Sequence, residues 1–264
     1  MPLTPLQTLE NGIERATYLV DLYELLHNQR QRRVRSDWAE PFRQLMHWNQ
    51  SDQIERIDGD GCMLILKNPT DWTMQHFEHE HLSELLRAAH ICAVSAMDRF
   101  FHDLLIDNVL GLLRRNVDDV PSRLANFALP LADAEAAIDH ALRSRRDGTA
   151  SRPRTTLKQR FTNAIHRCTF QSPAEIEEAF RMLGIRNIWG KLGQRMAGRA
   201  EELKSRLNQI VHRRNQIVHE GDVRRADRPQ AVNLNDITAD DTRADIEWLK
   251  GLAEAAGRVV QDEL

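Results

Sequence analysis

The run from Leu82 to Leu104 constrains the fold of this chain more than any other segment. Leu82, Leu86, Ala89, Ala93, Met97, Phe100 and Leu104 recur at three- and four-residue intervals, which lays one unbroken apolar stripe along a helix. The pattern predicts a helix over about 75–115, with Asp71 or Thr73 as its cap. A stripe of that length needs other helices to cover it. Several are predicted: 9–34, a short one through Trp38–Trp48, one at 131–144, then 157–168, 173–183 and 196–220, and a last one opened by Thr238. Ser172 caps the 173–183 helix, and Gly184 and Gly221 mark helix stops.

One stretch reads as β. Ile54–Ile57, the turn Asp58-Gly-Asp-Gly61 and Met63–Leu66 form a hairpin pattern closed by Asn68-Pro69. The chain therefore reads as all-α. Residues 75–264 form an up-and-down helical bundle, and residues 1–74 a small helical and β-hairpin extension.

No apolar run approaches the roughly 20 residues needed to cross a bilayer, and Met1–Asn11 lacks the basic-then-apolar order of a signal peptide. Cys62, Cys92 and Cys168 are odd in number and far apart, which argues against disulfides or a cysteine zinc site. A cytoplasmic location without membrane partners is expected. Net charge is only −3, but residues 142–228 hold 20 basic and 9 acidic side chains, a net of +11 inside an otherwise acidic chain. Such a segment suits a polyanion, although an arginine-rich solvated face has the same composition. The basic loop 144–156 and its continuation contribute Arg152, Arg154, Lys158 and Arg160.

The most informative stretch is Leu203–Asp222, LKSRLNQIVHRRNQIVHEGD. Leu203, Leu207, Ile210, Val211, Ile217 and Val218 make one stripe, and Arg214 falls in its middle, where a leucine would be expected. Asn208, His212, Asn215 and His219 share a second face. An arginine on an apolar stripe needs either an ion pair or an anion to bind. Asp98 on the long helix is a candidate partner for it.

Four Arg–His pairs in this chain have a four- to six-residue gap: Arg160/His166, Arg206/His212, Arg213/His219 and Arg214/His219. Context selects the last: a polar residue directly after the arginine, Ile-Val before the histidine, and a glycine-terminated helix end. Arg214-Asn215-Gln-Ile-Val-His219 thus resembles the R-x4-6-H signature of the HEPN superfamily. Ala88–Leu105 resembles that family's early helix, Phe180–Trp189 the segment before its motif helix, and Asn235-Asp-Ile-Thr with the amphipathic helix behind it the closing helix. The closest branch is RiboL-PSP-HEPN, over roughly 75–264.

The resemblance implies a ribonuclease that uses neither metal nor cofactor. His219 would act as general base or acid. Arg214 would hold the phosphate and Asn215 would orient one or the other. His212, Arg213, Arg152, Arg154, Lys158 and Arg160 would contact RNA, and Asp98 would orient the site. It also implies a homodimer with a shared cleft, and a toxin or anti-phage role with a cognate antitoxin or defence partner. The family includes non-catalytic RNA- or protein-binding members, so a binding module is the alternative. His76, His79 and Glu80 in HFEHEH stand at i, i+3 and i+4, a spacing that could hold zinc. The other reading is a solvated first turn whose acids favour the helix dipole.

Overall fold

The computed structural model describes residues 3–27, 30–32, 34–59, 61–67, 74–112, 119–128, 153–224 and 233–264, with isolated positions between 135 and 146. Helix α1 spans Pro5–Leu26. Thr4 caps it, exchanging bonds with Gln7, and Pro5 sits where its missing N–H costs nothing. The predicted helix over 9–34 therefore begins earlier and ends eight residues sooner. Past Leu26 the chain turns into strand β1 (Arg30–Arg32), followed by α2 (Ser36–Leu45), β2 (Ile54–Asp58) and β3 (Met63–Lys67). The hairpin β2–β3 forms as expected, and β1 adds a third antiparallel strand in the order β1-β2-β3.

A short 3₁₀ turn (Met74–Phe77) leads into the long helix α3 (His79–Leu112), the spine of the molecule. Asp71 and Thr73 lie outside the described residues, as does most of the predicted helix at 131–144. After the one-turn helix α4 (Ser122–Ala125) come α5 (Pro153–Ile165), α6 (Pro173–Met182), α7 (Ile188–Arg195), α8 (Ala200–Glu220) and α9 (Ala239–Glu263). Ser172 and Glu175 form a capping box at α6, and Gly184 takes the left-handed turn beyond it at φ +82°.

The predicted helix over 196–220 is α8, which starts four residues later, and a separate helix not predicted from the sequence, α7, precedes it across a tight break. Gly198 N donates to the Gly193 carbonyl at 2.9 Å, and a Cβ on Gly193 would come within 2.7 Å of the Gly198 carbonyl oxygen. Ala197 adopts φ +52°. Only a residue without a side chain fits at 193, so the chain folds back there and restarts at Ala200.

The core lies where α3 meets α1, α8 and α9. From α1 come Leu9, Ile13, Ala16, Val20 and Tyr23, all buried; from α9 come Ile246, Leu249, Leu252, Ala253, Ala256 and Val260. Helix α1 is thus part of the same core as the bundle, and a cut after residue 74 would remove it along with the sheet. Among the described residues, no helix is long and apolar enough to cross a membrane.

Candidate active site

Helix α8 changes character along its length. Its first half buries Leu203, Leu207 and Ile210 against the core, while Ile217 is only half-covered and Val218 is 43 % exposed. Arg214 sits where the stripe leaves the core, itself half-buried. Its Nη1 donates to Asn215 Oδ1 at 3.1 Å, and its Nε is buried with no partner. An unmade bond at a buried donor costs about 1–3 kcal/mol, so the fold does not place this guanidinium for its own stability.

Five positions along a helix put Arg214 and His219 about 140° apart. Asn215 and His219, four apart, share a face. The Arg214–Asn215 bond draws the guanidinium round toward that face. His219, in the last turn, is exposed, as are Asn215, His212 and Asn208. A shallow cleft of about 500 Å³ runs along the same helix between Pro173, Lys204, Asn208 and His212.

The structure bears on several readings of the sequence. Asp98 does not pair with Arg214. Its carboxylate accepts from Phe170 N at 2.6 Å and from Gln171 Nε2 at 3.1 Å, which pins the turn before α6 to α3. Arg213 is not available on an open face, because it makes a two-pronged bond to Asp222: Nη1 to Oδ1 at 2.7 Å and Nη2 to Oδ2 at 2.9 Å. The zinc spacing dissolves in three dimensions. His79 bonds Tyr23 through Nδ1 at 2.8 Å, His76 stacks on His81, and among the described residues no three such side chains converge. Of the basic set, Lys158 and Arg160 lie in α5, within the helix predicted over 157–168, and Arg154 belongs to the same helix instead of the preceding loop; Arg160 is half-buried and already engaged, and Arg152 lies outside the described residues.

Sequence reasoning passed over the anchor of this helix end. Gly221 and Asp222 both adopt positive φ, +61° and +57°, which turns the chain back beneath α8. Asp222 is wholly buried, and both its oxygens are doubly engaged. Arg87 Nε reaches Oδ2 at 2.7 Å, Asn235 Nδ2 reaches Oδ1 at 3.1 Å, and Arg213 takes one bond on each. Arg87 and Arg213 also donate to the Asn235 carbonyl, at 3.0 and 3.3 Å. The knot ties the His219 end of α8 to α3 and to the segment before α9. An Asp after a helix-ending glycine was its only local signal.

A second tether lies one turn before Arg214. His90, buried on α3, donates from Nε2 to the Ile210 carbonyl at 3.0 Å and faces Asp245 Oδ2 with Nδ1 at 3.4 Å. Burial lowers the His90 pKa below the ordinary histidine value, against the opposing pull of the Ile210 carbonyl and Asp245. Burial raises that of Asp245, against the attraction of His90 and Arg206. With Nε2 engaged by Ile210, a bond between Nδ1 and the carboxylate requires that the pair share a proton.

The RiboL-PSP-HEPN family model matches residues 65–261, three-quarters of the chain. The chain belongs to the RiboL-PSP-HEPN family. HEPN domains are commonly nucleases, and the RiboL-PSP-HEPN match covers α3, the motif helix α8 and the closing helix α9. No curated protein and no solved structure matches the chain.

Proposed function

We propose that this HEPN protein is a metal-independent endoribonuclease. The observation that carries the reading is the state of Arg214: a half-buried guanidinium beside Asn215, with one buried donor unmatched, at the helix end that displays His219. A cation held this way is ready for an anion that the protein itself does not supply.

RNA brings its own nucleophile. His219 takes the proton of a 2′-hydroxyl, whose oxygen attacks the adjacent phosphorus. The P–O5′ bond breaks, the leaving oxygen takes up a proton, and the products are a 2′,3′-cyclic phosphate and a 5′-hydroxyl. Arg214 stabilises the extra negative charge as it develops, in the fork geometry that suits a phosphate. Asn215 holds the guanidinium in place. The half-covered Ile217 and exposed Val218 beside the motif support pairing with a second copy across this helix end. A toxin or anti-phage role, with a cognate antitoxin or defence partner, is the biological setting that fits such an activity.

The test is incubation of wild type, His219→Ala and Arg214→Ala with RNA in EDTA, with product ends mapped. We expect cleavage by wild type alone, a loss of at least about 10²-fold in each variant, and cyclic phosphate ends. Undiminished cleavage by His219→Ala would overturn the assignment. RNA binding without cleavage by the wild type would favour a non-catalytic binding module.

A further inference from the structure

The three-stranded sheet lies mostly outside the matched family region and carries a charge pattern that the fold does not need. Residues directly opposite each other in an antiparallel pair lie on the same face. The register sets Arg30 opposite Asp58, Arg32 opposite Arg56, Arg56 opposite Ile65, and Ile54 opposite Lys67. Arg30, Arg32, Arg56 and Lys67 therefore share one face with a single strand carboxylate, Asp58. The opposite face carries Ile57, which is fully buried, whereas on the cationic face Arg30, Arg32 and Lys67 are exposed and Arg56 is half-exposed, so the cationic face is the outer one.

Asp58 is outnumbered. Arg56 grips it with two bonds at 2.7 and 2.8 Å, Arg32 approaches to 3.6 Å, and Arg30 stands across from it, exposed. Lys67 meets Asp52 at 3.2 Å. Even with that second acid, the four cations leave a surplus of positive charge. Two tryptophans support the heads: Arg56 lies 5.7 Å from the Trp38 ring centre and Lys67 lies 5.2 Å from that of Trp48. Trp38 stacks on Phe42, and Phe42 meets Trp48 edge-on.

Positive charge on a sheet often guards an exposed edge against pairing with another chain. That accounts for β1 and for Lys67 on β3, but not for Arg56, which lies on the central strand. Two arginines directly opposite one another also cost stability. A costly cluster held on aromatic supports suits an anionic chain with repeated phosphates.

We propose that this outer sheet face binds single-stranded RNA. Arg30, Arg32 and Arg56 hold one stretch of backbone phosphate around Asp58, and Lys67 holds a neighbouring one. The inference rests on the ribonuclease reading only for the identity of the strand, which would be substrate held away from the cutting site. Binding itself requires no catalysis.

The test uses full-length protein carrying Arg214→Ala and His219→Ala, which removes cleavage, and a fluorescent single-stranded RNA of mixed sequence. Affinity is measured by anisotropy across a salt series. Replacing Arg30, Arg32 and Arg56 together by Ala is expected to weaken binding at least tenfold at low salt. The slope of log affinity against log salt should flatten by about 0.7 for each phosphate that is no longer neutralised. The triple Lys variant, which keeps the charge, should stay within about threefold of the parent. Unchanged affinity and slope in a triple Ala variant that melts like its parent would overturn the proposal. So would equal weakening by both triple variants, or binding to anionic phosphatidylserine vesicles with no affinity for RNA.

Should the triple Ala variant misfold, cross-linking of 4-thiouridine RNA to the parent decides the matter. Adducts in 30–67 support the platform, and adducts confined to α8 overturn it. Failure of the ribonuclease reading appears separately, as intact RNA with the wild type.

Discussion

Asp222 and Asp58 each draw arginines, and the two clusters end in opposite states. Around Asp222, every oxygen and nearly every guanidinium donor finds a match, the spare donors going to the carbonyls of 235 and 236 and to Ser83 and Glu84, with Asp222 and Arg87 buried and Arg213 half-buried. Around Asp58, the arginines outnumber the acid, Arg30 and Arg32 face solvent with Arg56 half-exposed beside them, and Arg32 and Arg56 repel across strands. The same residue types thus serve two ends. A balanced cluster stabilises a turn and holds a helix in place; an unbalanced one keeps its attraction for an outside anion. Arg213 and Arg214, adjacent in sequence, repeat the contrast on one helix.

Removing the carboxylate from the closed cluster should have the largest effect. Asp222→Ala leaves buried Arg87 with only the exposed Glu84 as counter-ion and half-buried Arg213 with none, and we expect a loss of about 3–5 kcal/mol in urea unfolding. A loss under about 1 kcal/mol would show that the knot is far wetter than its geometry. Next comes the adjacent pair. Arg213→Met should cost about 1.5–3 kcal/mol, the worth of its charged hydrogen bonds. Arg214→Met removes an unmatched donor and should leave stability unchanged or raised by about 1 kcal/mol, while ending cleavage. Equal losses from the two substitutions would erase the distinction between a structural and a functional arginine.

At the open cluster, Asp58→Asn should change stability by less than about 1 kcal/mol and tighten RNA binding in the anisotropy assay; weakened binding would mean that Asp58 shapes the slot and does not compete for it. The mildest effect concerns pH. Burial lowers the pKa values of both His90 and His102 in the folded chain. As pH falls below about 6.5, the unfolded chain takes up protons that the folded one refuses, so stability is present above that value and lost on acidification. His102→Gln should flatten the fall in melting temperature between about pH 7 and 5, and an unaltered slope would remove His102 from the explanation.

Much of the frame could be read along the chain, because caps, periodicity and turns are short-range. Ser172, Thr238, Gly184 and Gly221 end or begin helices where expected, the hairpin forms at 54–67, and Arg214, Asn215 and His219 share one helix end. Expectation and structure part where a partner far away in sequence decides the outcome. Arg30–Arg32 is a strand because β2 offers it an edge, not because its residues prefer one. Asp98 holds residues 170–171 instead of Arg214. A helix stripe gives direction but not depth: α8 runs off the core after Val211, so an arginine drawn among leucines stands half in the open.

The sequence by itself determined the bundle, the family motif and the surplus of arginine. Only the tertiary structure decided which arginines are spent. Arg87 and Asp222 lie 135 positions apart and Arg213 and Arg214 only one, and an ion pair depends on distance through space and on the water excluded around it.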